Sequence, residues 1–337
     1  MRPIHIIAAM ALAAAVSCGR HGGQPQEAVQ DTSSVDTAAA AVVTFDSVHP
    51  GDVRLSKHLL FDNYTLDDVY PYRDTVRRFK WEQIKGCLAA VENARLADKR
   101  LGILQNYKNR NRTAPLVANY TRNNYGNITD TLGVERYQSV PLYLPGDTLC
   151  PVIYGRDGTL VEIVSADSLR VMAVDVFRGG TWAVPSRYVR MLADTATFDH
   201  VIVVDREDQN IAALARTGRG EWSVLSMNPA TTGARRPPYA KATPLGYYVL
   251  QERKERMIYL ADGSSDYGGF APYACRFTNG AYIHGVPVNA PGKEIIEWSW
   301  SLGTTPRSHM CVRNATSHAK FIYDTMPVMG TLVVVIE

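Results

Sequence analysis

The chain has 337 residues, a length at which about two domains are expected at roughly 150 residues each. Hydrophobic residues make up 46%, charged residues 20%, and the formal net charge is only +3. This balance excludes a disordered chain and argues against nucleic acid as a partner. Five cysteines without a CxxC pair exclude a disulfide scaffold, CxxC-type structural zinc and thioredoxin-type redox chemistry.

The first 17 residues, MRPIHIIAAMALAAAVS, have the pattern of a signal peptide, with Arg2 followed by a short apolar run and small residues. That run is too short for a permanent membrane span. Ala15-Val16-Ser17-Cys18 resembles a bacterial lipobox, which implies that Cys18 is lipidated. We therefore expect a periplasmic protein with an N-terminal lipid anchor in the membrane, on the periplasmic face of the outer membrane. A secreted protein without an anchor is the alternative.

Residues 18–50 are expected to be a flexible tether. The stretch from Gly19 to about Val43 is rich in Gly, Gln, Ser, Thr and Ala and has no periodic apolar pattern. Such a coil would let a folded part reach away from the membrane.

Residues 51–125 are predicted to be a helical, basic segment. Between positions 73 and 112 there are eleven Lys or Arg and four acidic residues. Trp81, Ile84, Leu88 and Val91 recur at helical spacing, which predicts an amphipathic helix. We interpret the charges as a solvated basic face; a site for anionic wall polymers or lipid headgroups is the alternative.

Residues 126–195 are predicted to form a small β-barrel, because short β-rich runs alternate there with Gly- and Asp-containing turns. The end of this region, Gly180–Val189, is similar to the last strand and short helix of bacterial Src-homology-3-like (SH3-like) barrels. The predicted strands are Val140–Leu144, Val152–Tyr154, Leu160–Val164, Val171–Val174 and Trp182–Val184.

Residues 196–337 are predicted to be a β-rich domain with one late helix, Ser317–Thr325. His200–Asp205 and Thr331–Ile336 are continuous apolar runs typical of buried strands. Further predicted strands are Ile211–Leu214, Trp222–Met227, Gly246–Leu250, Met257–Leu260 and Ala281–Ile283. Together with the upstream segments, this predicts a fold that is mainly β with some α.

The string from Ser308 to Asn314, SHMCVRN, carries candidate chemistry. In an extended chain, His309, Cys311 and Arg313 would share one face. A helix that starts near Cys311, with Thr316 or Asn314 as its N-cap, would favour the thiolate. A thiol also needs a nearby base, and His284 follows a predicted strand upstream.

Three motifs in order resemble the L,D-transpeptidase catalytic domain: Thr243-Pro244-Leu245-Gly246, then His284-Gly285, then Ser308-His309-Met310-Cys311-Val312-Arg313-Asn314. The resemblance covers about 140 C-terminal residues. It implies a β-sandwich-like domain at 196–337, preceded by the barrel and the N-terminal helical segment. It also implies an enzyme that needs no metal or other cofactor and acts on peptidoglycan stem peptides.

The resemblance implies a role for each matching residue. Cys311 would be the nucleophile and His284 its general base, oriented by the backbone carbonyl of Gly285. The N–H groups of Met310 and Cys311 would form an oxyanion hole, and His309 would line the pocket.

Further residues are assigned around this centre. Arg313 is expected to hold the loop or a stem carboxylate, and Ser308 to support the loop by hydrogen bonding. The aromatic, Gly-containing stretch from Tyr267 to Phe277 is predicted to be a mobile lid, with Tyr273 contacting substrate. Cys275, in the same stretch, is either a resolving thiol or a buried one.

The sequence departs from the family at Met310, where the family usually has Gly. If this position needs a left-handed backbone, Met is strained there or shifts the oxyanion donors. The alternative function is therefore a non-catalytic peptidoglycan-binding lipoprotein with a degenerate domain. We nevertheless expect acyl transfer from a tetrapeptide stem through a thioester, release of D-alanine and cross-linking to an amine, because Cys311 and His284 are both present.

Two other active-site types fit the sequence less well. In papain-like wall peptidases the Cys precedes the His, whereas His284 precedes Cys311 here. A zinc site of His284, His309, Cys311 and His318 matches no familiar ligand spacing, and the predicted helix turns His318 away. Whether the acceptor is another stem, a free D-amino acid, a protein amine or water stays open.

Overall fold

The computed structural model describes residues 47–95 and 100–337. All described residues belong to one compact unit. The predicted signal peptide, the Cys18 lipidation site and the tether up to residue 46 lie outside the described residues and stay predictions. Within the described ranges, no helix is long and apolar enough to cross a membrane.

The described residues form a mainly β structure, as predicted, with 22 strands and two α-helices. The helices are α1 (Trp81–Ala94) and α2 (Thr316–Thr325). The strands are β1 (Arg54–Lys57), β2 (Val69–Tyr72), β3 (Thr75–Arg78), β4 (Arg100–Leu104), β5 (Thr121–Arg122), β6 (Ile128–Thr129), β7 (Ser139–Leu142), β8 (Ile153–Arg156), β9 (Leu160–Ala166), β10 (Arg170–Asp175), β11 (Thr181–Pro185), β12 (Val189–Met191), β13 (His200–Asp205), β14 (Asn210–Gly218), β15 (Glu221–Pro229), β16 (Gly246–Val249), β17 (Glu252–Leu260), β18 (Tyr267–Thr278), β19 (Ala281–His284), β20 (Val288–Asn289), β21 (Val312–Arg313) and β22 (Thr331–Ile336).

A six-stranded sheet of order β1-β15-β14-β13-β22-β16 forms the centre of the fold. Two of its inner strands, β13 and β22, pair in parallel with His200 opposite Thr331 and Asp205 opposite Ile336. Both have the bounds predicted from the sequence. Their apolar runs are continuous because both faces of this sheet are covered.

Helix α1 covers one face of the central sheet. Ile84, Leu88 and Val91 of α1 are buried in one core cluster with Val203 and Val334 of the sheet. The helical spacing therefore identified this helix correctly.

Several basic residues near α1 are paired within the fold. Lys80 lies 2.7 Å from Glu207 and 3.1 Å from Asp205, and Arg95 lies 2.6 Å from Asp199. These pairs favour the interpretation of this region as structural surface rather than as a polymer-binding site.

A second sheet, of order β17-β18-β19-β21 with β20 paired to β18, covers the other face together with α2. Phe277, Ile283 and Val312 from this sheet share a core with Ile202 and Val333 of the central sheet. The two packed sheets agree with the predicted sandwich-like domain. The parallel pair β19 and β21 carries His284 and Arg313, and Cys311 directly precedes β21.

A five-stranded sheet of order β11-β10-β9-β4-β12 lies upstream, with a short 3-10 turn at Ser186–Tyr188 before β12. Its strand β4 lies inside the segment predicted to be helical, so this sheet begins earlier than residue 126. The β7–β8 hairpin, predicted as part of the barrel, is a two-stranded sheet joined to β11 by a bridge between Tyr143 and Ala183. The SH3-like assignment stays a prediction.

The segment predicted as helical at 51–125 contains only one α-helix, α1, among its described residues. Its strand β1 instead pairs in parallel with β15, with Arg54 opposite Glu221 and Lys57 opposite Val224. Helical periodicity is visible only in α1, because short strands such as β1 are fixed by pairing with a distant partner.

The predicted lid, Tyr267–Phe277, is a structural strand, and that prediction is wrong. β18 pairs with β17 on one side and with β19 and β20 on the other. Gly269 serves close packing rather than mobility: its φ is +141°, and a Cβ there would lie 2.1 Å from the carbonyl oxygen of Val288.

A buried ion pair joins the upstream part to the second sheet. Arg276 of β18 donates to the carboxylate of Asp157 at 2.7 Å, and both side chains are almost fully buried. Asp157 also accepts hydrogen bonds from the backbone N–H groups of Asn106 and Tyr107. These bonds fix the insertion between β4 and β9 against the sheet that carries the site.

Candidate active site

The parallel pairing of β19 and β21 brings the two candidate catalytic residues to one cleft. Ile283 lies opposite Val312, and both point into the core, so the alternate positions face the other way. His284, Arg313 and Cys311 line a cleft of about 640 Å³. The structure therefore agrees with the prediction that Cys311 and Arg313 share one face of the chain.

His284 is held as a neutral imidazole. Its Nδ1 lies 2.6 Å from the carbonyl oxygen of Gly285, and since a carbonyl only accepts, Nδ1 carries the proton and Nε2 is unprotonated. Burial, aided by the Arg313 cation and opposed by the Gly285 hydrogen bond, lowers the pKa of His284 to about 4. The unprotonated Nε2 is the state that a general base requires.

Position 285 needs a glycine for steric reasons. A Cβ there would lie 2.7 Å from Oγ1 of Thr316 and 2.9 Å from Cγ of Pro272. The close approach of these side chains keeps the carbonyl of Gly285 under the imidazole of His284.

Cys311 is half-buried at the entrance to β21. Its Sγ lies 3.7 Å from the carbonyl oxygen of Gly280. Burial raises the pKa of the Cys311 thiol, although a hydrogen bond from the Tyr282 backbone and the Arg313 cation oppose the increase. No hydrogen bond joins Cys311 to His284 within the described ranges, but both residues line the same cleft.

The predicted helix N-cap near Cys311 is wrong. The N-cap of α2 is Ala315, without a side-chain cap. The hydroxyl of Thr316 donates to the carbonyl of Ile296, and the first N–H groups of α2 are bonded to Glu297. Because Glu297 occupies this helix end, α2 is not available to stabilise the thiolate.

The loop before Cys311 has the backbone strain that its sequence predicted. Met310 has φ +95°, in the region that favours glycine. Thr243 stabilises this conformation by donating to the carbonyl of Met310 at 2.9 Å, and Ser308 donates to the carbonyl of Cys311. Among the described residues, the N–H groups of Met310 and Cys311 have no protein acceptor, which leaves them available to an oxyanion.

Arg313 presents an unpaired cation to the cleft. Its side chain is mostly buried, its Nε has no hydrogen-bond partner, and no carboxylate pairs with it in the described part of the chain. A buried guanidinium without a partner favours an anionic ligand group.

The sequence analysis missed the wall of the cleft opposite the catalytic loop. The tip of the β17–β18 hairpin brings Asp262 to 3.0 Å from Nε2 of His309, and Tyr259 lines the same cleft. Asp262-Gly263 between two β-rich runs is a recognisable hairpin signal, which could have located this wall in place of the predicted lid.

Three residues considered in the sequence analysis lie away from the cleft. Tyr273, predicted to contact substrate, packs against Tyr323 of α2 with ring centroids 5.8 Å apart. Cys275 is fully buried in the core and lies opposite Ile283, so it is a packing residue and not a resolving thiol. His318 is buried with its Nε2 2.9 Å from the hydroxyl of Ser226, so it takes no part in the zinc set considered above.

Residues 199–335 match the family model of the YkuD L,D-transpeptidase catalytic domain, which confirms the resemblance seen in the motifs. A comparison with curated proteins gives no match. The family match supports a transpeptidase-type function for the C-terminal part of the chain.

Solved structures similar to the chain include L,D-transpeptidases. L,D-transpeptidase 3 from Mycobacterium tuberculosis, bound to a faropenem-derived adduct, is 18% identical, with 54% of this chain and 93% of that chain covered and a TM-score of 0.34. An L,D-transpeptidase from Mycobacterium smegmatis is 18% identical, with coverages of 52% and 82% and a TM-score of 0.34.

Another similar structure is a fused Zn-dependent amidase/peptidase/peptidoglycan-binding domain-containing protein from Clostridium acetobutylicum. It is 20% identical over 41% of this chain, with a TM-score of 0.30. The chain spans about half of that protein's length, 51%. The function of the chain is therefore inferred from the family match and from the geometry of the site.

Proposed function

We propose that this chain, whose residues 199–335 match the L,D-transpeptidase catalytic domain family, is a peptidoglycan L,D-transpeptidase with Cys311 as its nucleophile. The observation that carries the proposal is the placement of His284 and Cys311 in one cleft, with the imidazole fixed by Gly285 as a neutral base. The N-terminal signal-peptide and lipobox pattern supports a periplasmic, lipid-anchored location, where peptidoglycan is available.

The proposed reaction is an acyl transfer in two steps. Nε2 of His284 takes the Cys311 proton, and Sγ attacks the carbonyl of the third stem residue. The oxyanion binds the N–H groups of Met310 and Cys311, and D-alanine leaves with the proton from His284. An amine then attacks the thioester, the C–S bond breaks, and the new amide bond joins two stems.

The second candidate function, a non-catalytic peptidoglycan-binding protein, draws its support from Met310. A Met at φ +95° is strained where glycine would not be. This backbone conformation does not block the oxyanion position, however, because the N–H groups of Met310 and Cys311 lack a protein acceptor among the described residues. A retained thiol and an oriented base in the same cleft favour the enzyme.

Mass spectrometry of the protein incubated with purified disaccharide-tetrapeptide tests the proposal, with Cys311→Ala as the control. Release of D-alanine with a new cross-linked dimer, absent in Cys311→Ala, is the expected result. Binding of the tetrapeptide without any release of D-alanine would contradict catalysis and favour the non-catalytic alternative.

A further inference from the structure

A second cavity, of about 840 Å³, adjoins the catalytic cleft. Tyr239 and His309 line both cavities, and Met310 lines the wall of the second. Much of its other wall comes from residues between 123 and 138, which lie outside the segment matched to the family. We call this space the basic cavity, because Arg156, Arg178, Arg206, Arg235 and Lys241 line it.

The acidic residues of the basic cavity are already paired. Glu337 lies 3.0 Å from Arg206, and Glu135 lies 2.7 Å from Lys241. These two pairs use both carboxylates that line the cavity. The remaining guanidinium groups therefore give it a net positive charge.

Three arginines in the cavity, Arg156, Arg178 and Arg235, have no carboxylate partner in the described part of the chain. Two buried polar atoms on the wall also lack partners: Nε of Arg156, a donor, and Oδ1 of Asn279, an acceptor. A buried polar atom without a hydrogen bond destabilises the folded protein, so most such atoms have a protein, water or ligand partner. A ligand with both acceptor and donor groups would satisfy them.

The size and the walls of the cavity indicate the kind of ligand. A volume of about 840 Å³ is far larger than one anion and suits a short peptide. Tyr125, Tyr137, Leu132 and Leu245 provide apolar and aromatic surface beside the arginines. An organic molecule that carries a carboxylate fits this combination better than an inorganic anion.

We propose that the basic cavity is the acceptor subsite, which binds the carboxylate of a molecule whose primary amine reaches past His309 into the cleft. This inference rests on the proposed function. The donor stem occupies the cleft beside Cys311 and Arg313, so the acceptor must approach the thioester from another side, and the basic cavity is the adjoining space.

The step at this subsite is the aminolysis of the thioester. The amine nitrogen attacks the acyl carbon on Cys311, the C–N bond forms and the C–S bond breaks. The proton of the amine passes to Nε2 of His284 and then to the departing sulfur. The carboxylate stays in the basic cavity and is unchanged, so it selects the acceptor without taking part in the chemistry.

Matched acceptors test this proposal on the full chain with the tetrapeptide donor. D-methionine and D-methioninamide carry the same amine, but only the first has a carboxylate; a stem tripeptide is the third acceptor. We expect transfer to D-methionine at least 10-fold faster than transfer to its amide. A preference for the tripeptide over D-methionine would identify a stem as the source of the carboxylate, and the reverse a free amino acid.

The double variant Arg178→Gln/Arg235→Gln removes two exposed charges from the cavity, and Arg190→Gln removes an exposed arginine outside it. The double variant should lose the preference for D-methionine over the amide, whereas Arg190→Gln should keep it. Acylation of Cys311 by imipenem should stay within about twofold in both. In a Cys311→Ala background, the double variant should bind the tripeptide at least 10-fold more weakly by calorimetry.

Equal transfer to the acid and the amide in the unsubstituted protein would overturn the acceptor subsite, as would a preference that survives in the double variant. Slower release of D-alanine in the double variant, with unchanged aminolysis, would assign the cavity to the donor and also overturn it. Absence of both D-alanine release and an imipenem adduct in the unsubstituted protein would instead contradict the proposed function itself.

Discussion

Nδ1 of His284 donates to the carbonyl oxygen of its own neighbour, Gly285, at 2.6 Å. This single bond determines which ring nitrogen is free, because the carbonyl can only accept. Burial also lowers the pKa of His284 to about 4 and raises the pKa of the Cys311 thiol, so the proposed reaction starts from a neutral imidazole and a thiol in the same cleft. Such a pair resembles a hydroxyl and its base more than a preformed thiolate–imidazolium pair.

Replacement of His284 by Ala should slow acylation of Cys311 by about 10²–10⁴-fold, because a thiol with a raised pKa then has no base. The measurement is the rate at which imipenem adds to the intact protein. His58→Ala, at an exposed position outside the cleft, is the matched control and should react at the unsubstituted rate. Full reactivity of His284→Ala would remove this residue from the mechanism.

The free energy of unfolding should fall as the pH is lowered from about 6.5 to about 4. Burial lowers the pKa of His284 to about 4 and that of His318 to about 3, against an ordinary value of 6.5. In this window the unfolded chain binds more protons than the folded one, so acid favours unfolding, and the stabilisation is complete above pH 6.5.

Urea unfolding at pH 7.5 and pH 4.5 measures this effect, and we expect a loss of about 1–3 kcal/mol from each buried histidine. A His284→Gln variant should show a shallower dependence on pH, since one of the two groups is absent. An equally steep dependence in that variant would assign the effect to other groups.

Met310→Gly should be more stable than Met310→Ala by about 1 kcal/mol, although both remove the same packing contacts beyond Cβ. The reason is the φ of +95°, which costs an alanine strain that a glycine does not have. Thermal unfolding of the two variants side by side gives the difference. If alanine were the more stable of the two, the loop would not hold this conformation in solution.

Gly269→Ala should destabilise the protein by about 2 kcal/mol or more, because a Cβ would lie 2.1 Å from the Val288 carbonyl oxygen at φ +141°. Gly51→Ala, where nothing lies within 4 Å of the added Cβ, should change stability by less than about 0.5 kcal/mol. Denaturant unfolding compares them. If Gly269→Ala were as stable as the unsubstituted protein, β18 would not pack closely against Val288, and the predicted mobile lid would be favoured again.

The elements that sequence reasoning located well are those with a strong local pattern. His200–Asp205 and Thr331–Ile336 are continuous runs of apolar residues, and α1 has apolar residues at helical spacing. The fold class and the order of the chemical motifs follow from such patterns. The motifs also identified the residues that share the cleft, because alternation along β21 fixes their side.

The wrong predictions have a common physical cause: the structure of these segments is determined by residues that are distant in sequence. Tyr267–Phe277 is aromatic and contains glycines, which suggests a loop, but pairing with β17 and β20 makes it a strand. Tyr273 has φ +52°, so the alternation of the strand is interrupted and its ring packs on α2. The N-cap prediction was wrong because Glu297, which is distant from α2 in sequence, binds the N–H groups at the N-terminal end of the helix.

The basic cavity could not be predicted from local patterns. Its arginines come from positions as far apart as 156 and 235, and none belongs to a motif. The high basic content between 73 and 112 indicates a basic surface in another region, but Lys80 and Arg95 there are paired with acidic residues of the fold. That these arginines lack carboxylate partners is evident only from the three-dimensional structure.

The central claim is that Cys311 carries the acyl group, and the intact mass of the protein during turnover of the tetrapeptide tests it most directly. We predict a covalent increase equal to the donor less D-alanine, located by peptide mapping on the peptide that contains Cys311 and absent in Cys311→Ala. Release of D-alanine without any adduct on Cys311, or an adduct that persists in Cys311→Ala, would contradict it.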